Sequence, residues 1–171
     1  MRVYKYFYCF AMIFLLYGCG YALTGLGNSL PPYMQNIAVP VFQNETYEYG
    51  LERIITQELT TSFNRRSGIR VVQKMSDADA VLEGTIKQYE YVPTLNAQRQ
   101  VTQYYINITA DLRLKDLVKE TVYWENKAYR FHEVYKITDG LGSVETNRLR
   151  AWENAAKDFA ESISSILLEG F

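Results

Sequence analysis

Residues 102–114, TQYYINITADLRL, decide how this chain folds. Tyr104, Ile106, Ile108, Ala110, Leu112 and Leu114 alternate with Gln103, Tyr105, Asn107, Thr109, Asp111 and Arg113, and a period of two puts the first set on one face of a strand. That face needs a covering layer, and the strand needs neighbours for its backbone. AVLEGTIKQYEYV (80–92) and TVYWENKAYRF (121–131) supply them. In the first, alternation points Ala80, Leu82, Gly84 and Ile86 inward and Glu83, Thr85, Lys87, Tyr89 and Tyr91 outward. In the second, Val122, Trp124, Asn126 and Ala128 point inward and Tyr123, Glu125, Lys127 and Tyr129 outward. Two shorter strands are expected at IAVPVF (37–42), where Pro40 marks an edge or a bulge, and at IRVVQ (69–73).

The covering layer is helical. Leu51, Ile54, Ile55, Leu59 and Phe63 recur at helical spacing in a segment that starts near Tyr49 and ends at Ser67-Gly68. A second, longer amphipathic helix closes the chain, with Leu149, Trp152, Ala156, Phe159, Ile163 and Ile166-Leu167 as its stripe. Strand, helix, several strands, helix is the order of an α+β two-layer sandwich, with a mixed, mostly antiparallel sheet and two helices packed on one face. The other sheet face would be left open, carrying Lys87, Tyr89, Tyr91, Tyr105, Thr109, Arg113, Tyr123, Lys127 and Tyr129. A solvated polar face fits that alternation as well as a contact surface does. The 15 tyrosines among 171 residues favour contact, because tyrosine suits surfaces that are apolar on one side and wet on the other.

Ahead of the domain, residues 1–18 have the parts of a secretory signal: Arg2 and Lys5, an apolar run from Phe7 to Leu16, and Gly18 before Cys19. The run is shorter than the roughly 20 apolar residues a membrane span needs. LYGC resembles the bacterial lipoprotein signal, in which the cysteine becomes the acylated N-terminus after cleavage; Tyr17 stands where a small residue is usual. Cleavage there removes Cys9 and leaves one cysteine, which excludes an internal disulfide. Residues 19–36 then read as a lipid-anchored tether and 37–171 as a single domain. Gly20, where an Asp would retain a lipoprotein at the inner membrane, points to the outer membrane.

The formal charge of −1 gives no basic excess for a phosphate backbone, so no nucleic-acid partner is expected. Nor does the chain carry a catalytic constellation. His132 is the lone histidine, no Cys/His set has metal spacing, and SDAD (76–79) lacks the glycine and closing glutamate of a calcium loop. No enzyme activity, metal or cofactor is expected.

Cys19-Gly20-Tyr21, Leu30-Pro31-Pro32, IAVPVFQNETYEYGLE (37–52), DADAVLEGTI (77–86), Tyr104 and Trp124 together resemble the lipopolysaccharide-assembly lipoproteins, the LptE family. The resemblance implies an outer-membrane lipoprotein that plugs the large LptD β-barrel, helps it fold and assists delivery of lipopolysaccharide to the cell surface. It also implies a two-layer sandwich. A plug meets a polar barrel lumen, so Tyr89, Tyr91, Tyr105, Tyr123 and Tyr129 are the expected partner surface. Contacts to lipopolysaccharide phosphates would come from Arg99, at the tip between two strands, and Lys136, in the loop after the last strand, with Lys87 and Lys127 behind them. The alternative is a periplasm-facing lipoprotein that binds a glycan or lipid without a barrel.

Overall fold

The computed structural model describes residues 30–66, 68–136 and 144–169; the signal, Cys19 and Ser67 lie outside them. The described elements are β1 (Asn36–Ala38), β2 (Gln43–Asn44), α1 (Leu51–Asn64), β3 (Arg70–Val72), β4 (Ala80–Leu95), β5 (Val101–Asp116), β6 (Thr121–Lys136) and α2 (Val144–Glu169). The sheet order is β3-β1-β4-β5-β6, with β2 also on β4. β4, β5 and β6 are antiparallel. β1 pairs in parallel with β3 and β4, and β2 with β4. The fold is the expected open α+β sandwich.

β5 obeys the alternation from Gln103 to Asp116. Tyr104, Ile106, Ile108, Ala110, Leu112 and Leu114 are all buried, and the residues between them are partly exposed. Both helices cover this side. α1 buries Leu51, Ile55, Leu59 and Phe63, and α2 buries Ala151, Ala155, Ala156, Phe159, Ala160, Ile163, Leu167 and Leu168. Alanines dominate the upper part of that α2 stripe, and Leu149 stands outside it, exposed. The two helices run the same way. Trp152 lies beside Gly50 at the start of α1, and Glu161 and Ser165 meet Arg65 and Arg66 just past its end.

Pro40 divides the expected strand 37–42. β1 stops at Ala38, and pairing resumes only at Gln43, because proline brings no N–H to the ladder. The detour has a use: it turns Phe42 into the core over Gly84, whose missing side chain leaves room for the ring. The Phe42 N–H is held by Thr56 Oγ1 of α1 at 3.1 Å.

Outward and inward residues of β4 and β6 depart from simple alternation at three bulges. In β4, Ile86 pairs with Ala110 and Gln88 with Thr109, so Lys87 is the extra residue. Beyond it every side chain changes face: Tyr89 pairs with Ile108 and Tyr91 with Ile106, on the helix side rather than the open side. In β6, Leu112 pairs with Asn126 and Ala110 with Tyr129, leaving Lys127 and Ala128 opposite Asp111. Tyr129 therefore also faces the helices. Ala128, expected inward, sits exposed in this bulge at φ 58°. The third bulge, at Tyr123, places Val122 opposite Lys115 on the open side, 53% exposed, where alternation had put it in the core.

The molecule has two distinct ends. At one, the entering chain is fastened to the sheet: Asp79 Oδ2 accepts the Gln35 and Asn36 N–H groups, and the Tyr33 hydroxyl donates to Asp116 Oδ2 at the end of β5. Leu30 and Met34 are already buried in the core here. At the other end is the β4–β5 hairpin, about 50 Å away for a 16-residue strand.

Candidate functional site

The open face is a lattice of cross-strand charge pairs rather than a tyrosine surface. Lys115 Nζ lies 2.8 Å from Glu83, Arg113 2.6 Å from Glu125, and Lys87 2.7 Å from Glu45 and 3.9 Å from Asp111. Lys127 lies 3.7 Å from Glu125. Around Asp111 lies a recess of about 170 Å³ lined in part by Glu83, Thr85, Arg113, Glu125 and Lys127. The Ala128 N–H donates to Asp111 Oδ1 at 2.8 Å, which holds the left-handed residue in place. Glu45, as hydrogen-bond acceptor, raises the Lys87 ammonium above its ordinary value, and Arg113 holds the Glu125 carboxyl below its own. Among the described residues, no group of three or more His, Cys, Asp or Glu side chains is placed to hold a metal ion.

The structure splits the five tyrosines expected as a partner surface. Tyr105 is on the open face, between Val92 and Val134. Tyr123 is near the opposite end of the sheet, 41% exposed. The remaining three are on the helix side and join the sheet to its cover. Tyr91 stacks on buried Tyr104 with ring centres 4.5 Å apart. Tyr129 meets Phe159 edge-on, and its hydroxyl lies 2.7 Å from Ser162 Oγ. Tyr135, not singled out from the sequence, completes this group by donating to Asp158 Oδ2 at 2.6 Å. Burial, and then that carboxylate, push its phenol well above the ordinary tyrosine value.

The four candidate cations also fall into two pairs. Lys87 and Lys127 flank Asp111 in mid-sheet, engaged by carboxylates. Arg99 and Lys136 belong to the hairpin end. Arg99 occupies a left-handed position in the turn, φ 59°, where Asn96 Oδ1 accepts the N–H groups of Gln98 and Gln100. Lys136 is the last residue of β6, paired with Gln103, rather than a loop residue. Neither has an ion-pair partner among the described residues. Between them and the mid-sheet charges runs the apolar row Val92, Tyr105 and Val134, with Val92 52% exposed. Alternation alone placed Tyr105 here; Val92 joins it only after the Lys87 bulge, and Val134 only after the bulge at Lys127 and Ala128. His132 is absorbed structurally: it bonds Asn107 Oδ1 and stacks on Tyr105. The hairpin end thus offers apolar surface bordered by two unpaired cations, a chemistry suited to an amphiphile with anionic groups.

The lipopolysaccharide-assembly family model, LptE, matches residues 34–165. No curated protein matches the chain. Among solved structures, the chain is similar to the PelC dodecamer from Paraburkholderia phytofirmans, at 14% identity and TM-score 0.53, covering 83% of this chain and 94% of that one. It is also similar to protein XCC0632 from Xanthomonas campestris, at 12% identity and TM-score 0.55, covering 81% and 87%. At such identities the likeness is one of fold. No helix among the described residues is long and apolar enough to cross a membrane.

Proposed function

The chain belongs to the lipopolysaccharide-assembly family LptE, and from that premise we propose that it is an outer-membrane lipoprotein, anchored through Cys19, that acts as plug and assembly factor for an LptD-like β-barrel. The observation that carries this reading is the family match over residues 34–165, which takes in nearly the whole described domain. The role is one of assembly, since the family is not enzymatic. The open face supports a plug: a lattice of paired charges meets a polar barrel lumen without leaving a buried charge alone.

Within that role, Arg99 and Lys136 are the lipopolysaccharide contacts. They are the two of the four candidates whose charge is not already engaged by a carboxylate, and apolar surface lies beside them. Lys87 and Lys127 maintain the lattice instead. Exposed pairs of this kind contribute little to stability, so their part is to set the charge pattern that the lumen meets.

The deciding experiment is affinity purification of the full chain from native outer membranes. An LptD-like barrel is expected to come with it; recovery of the lipoprotein alone would defeat the plug reading. For the contacts, Arg99→Glu with Lys136→Glu should weaken lipopolysaccharide binding, and Lys87→Gln with Lys127→Gln should leave it near wild type. The reverse ranking would move the site to the mid-sheet recess.

A further inference from the structure

Where the chain enters the domain, exposed apolar side chains gather. Of the eleven large hydrophobic side chains exposed among the described residues, four lie around the β5–β6 turn: Val118 at 62%, Val122 at 53%, Tyr123 at 41% and Tyr33 at 37%. The turn is rigidly tied to the entering chain. Asp116 Oδ2 accepts the Tyr33 hydroxyl, while Asp116 Oδ1 accepts the N–H groups of Val118 and Lys119, each at 2.9 Å. Lys119 Nζ sits 5.1 Å from the centre of the Tyr33 ring. Burial alone would raise the Asp116 carboxyl, but these donors outweigh it and hold it below the ordinary value. The carboxylate therefore stays charged and keeps the clasp closed.

We infer that this entry end is a lipid-contacting surface: in the anchored chain without a barrel around it, Val118, Val122, Tyr123 and Tyr33 rest in the headgroup layer of the membrane that holds Cys19. The inference rests on the reading of Cys19 as the acylated residue. The reach of the chain limits the alternatives. From Cys19 to Leu30 is eleven residues, at most about 40 Å when fully extended. The hairpin tip is about 50 Å from the entry end. With the tip down on the membrane, the entry end would stand farther from the surface than the chain can stretch. The domain must therefore stand on its entry end or lie on its side. The side faces are the charge lattice and the two helices, whereas the entry end carries valines and tyrosines, the residue types that settle at a lipid–water boundary. Lys119 and Glu120 in the same turn cancel, so the contact is apolar and indifferent to salt.

The test uses the full-length, membrane-processed protein. After cleavage and acylation it carries no free cysteine, so Val118→Cys provides a unique site for an environment-sensitive fluorophore, with Gln98→Cys at the hairpin tip as control. Reconstituted in phosphatidylethanolamine–phosphatidylglycerol vesicles doped with nitroxide lipid, the label at 118 should be blue-shifted and quenched about twofold or more relative to the label at 98. Raising the salt should not change this, and Val122→Asp, at a position 53% exposed, should abolish it. Mass spectrometry of the N-terminus of the same sample separates the two claims. An acylated Cys19 with equal quenching at both sites overturns the surface contact. An unmodified Cys19 with strong quenching at 118 overturns the anchor and keeps the contact. Quenching lost in high salt would show binding by charge and also refute the inference.

Discussion

Gly84→Ala is the sharpest single test of the packing described above, because the residue is small for one identifiable reason. A Cβ at position 84 would lie closer than 3.0 Å to Cε2, Cδ2 and Cζ of Phe42, a separation that bonded geometry does not relieve. The ring has nowhere to retreat: Phe42 is 3% exposed, and its backbone is tied to Thr56 of α1. Overpacking of a closed core costs about 1–3 kcal/mol, and three clashing ring atoms put this case near the top of that range. The reduced freedom of alanine in the unfolded chain returns about 0.4–1 kcal/mol. A net loss of about 2 kcal/mol follows, or a fall in melting temperature of about 4–8 °C for a chain of this size. The assay is a double-mutant cycle by urea unfolding. Phe42→Ala alone should cost about 3–5 kcal/mol. In that background Gly84→Ala should become neutral or stabilising, a coupling of about 2 kcal/mol. Additive effects would mean that Gly84 is not there for Phe42, and the account of the β1–β2 detour would be wrong.

Deletion of Lys87 removes the extra residue and leaves Gln88 opposite Thr109, Tyr89 opposite Ile108 and Tyr91 opposite Ile106 in plain alternation; cooperative melting and the tyrosine near-UV circular dichroism should survive, and their loss would count against Lys87 as the bulge residue. Asp116→Asn tests the clasp at the entry end. A carboxyl held below its ordinary value stabilises fully above about pH 4, and that contribution disappears as pH falls through the depressed native value. The wild-type melting temperature should thus exceed that of the variant at pH 7 and converge on it towards pH 3; parallel curves would dismiss the idea. Tyr135→Phe removes the hydroxyl donor to Asp158 and should lower stability by about 1 kcal/mol, read as a lower urea midpoint at unchanged slope.

How far the sequence could be read depended on the bulges. The one extra residue of β5, Thr102, lies at its very start, so its period of two survives from Gln103 to Asp116 and fixes which side the helices cover. The faces of its neighbours can be read only up to their first bulge. In β4 the visible trace is Lys87-Gln88, two polar residues in succession where alternation calls for one; in β6 it is Asn126-Lys127-Ala128. Neither trace compels a bulge. The left-handed Ala128 has no sequence signal at all, because Asp111 of another strand imposes it. Tyrosine made the error easy, since it is at home on either side of a sheet. The consequence reaches the site. Moving Tyr89, Tyr91 and Tyr129 to the helix side removes three aromatic rings from the open face, and the same shift brings Val92 out beside Tyr105. The apolar row that borders Arg99 and Lys136 is therefore a product of two bulges: the one at Lys87 brings Val92, and the one at Lys127-Ala128 brings Val134, to the side where the alternation of β5 already places Tyr105.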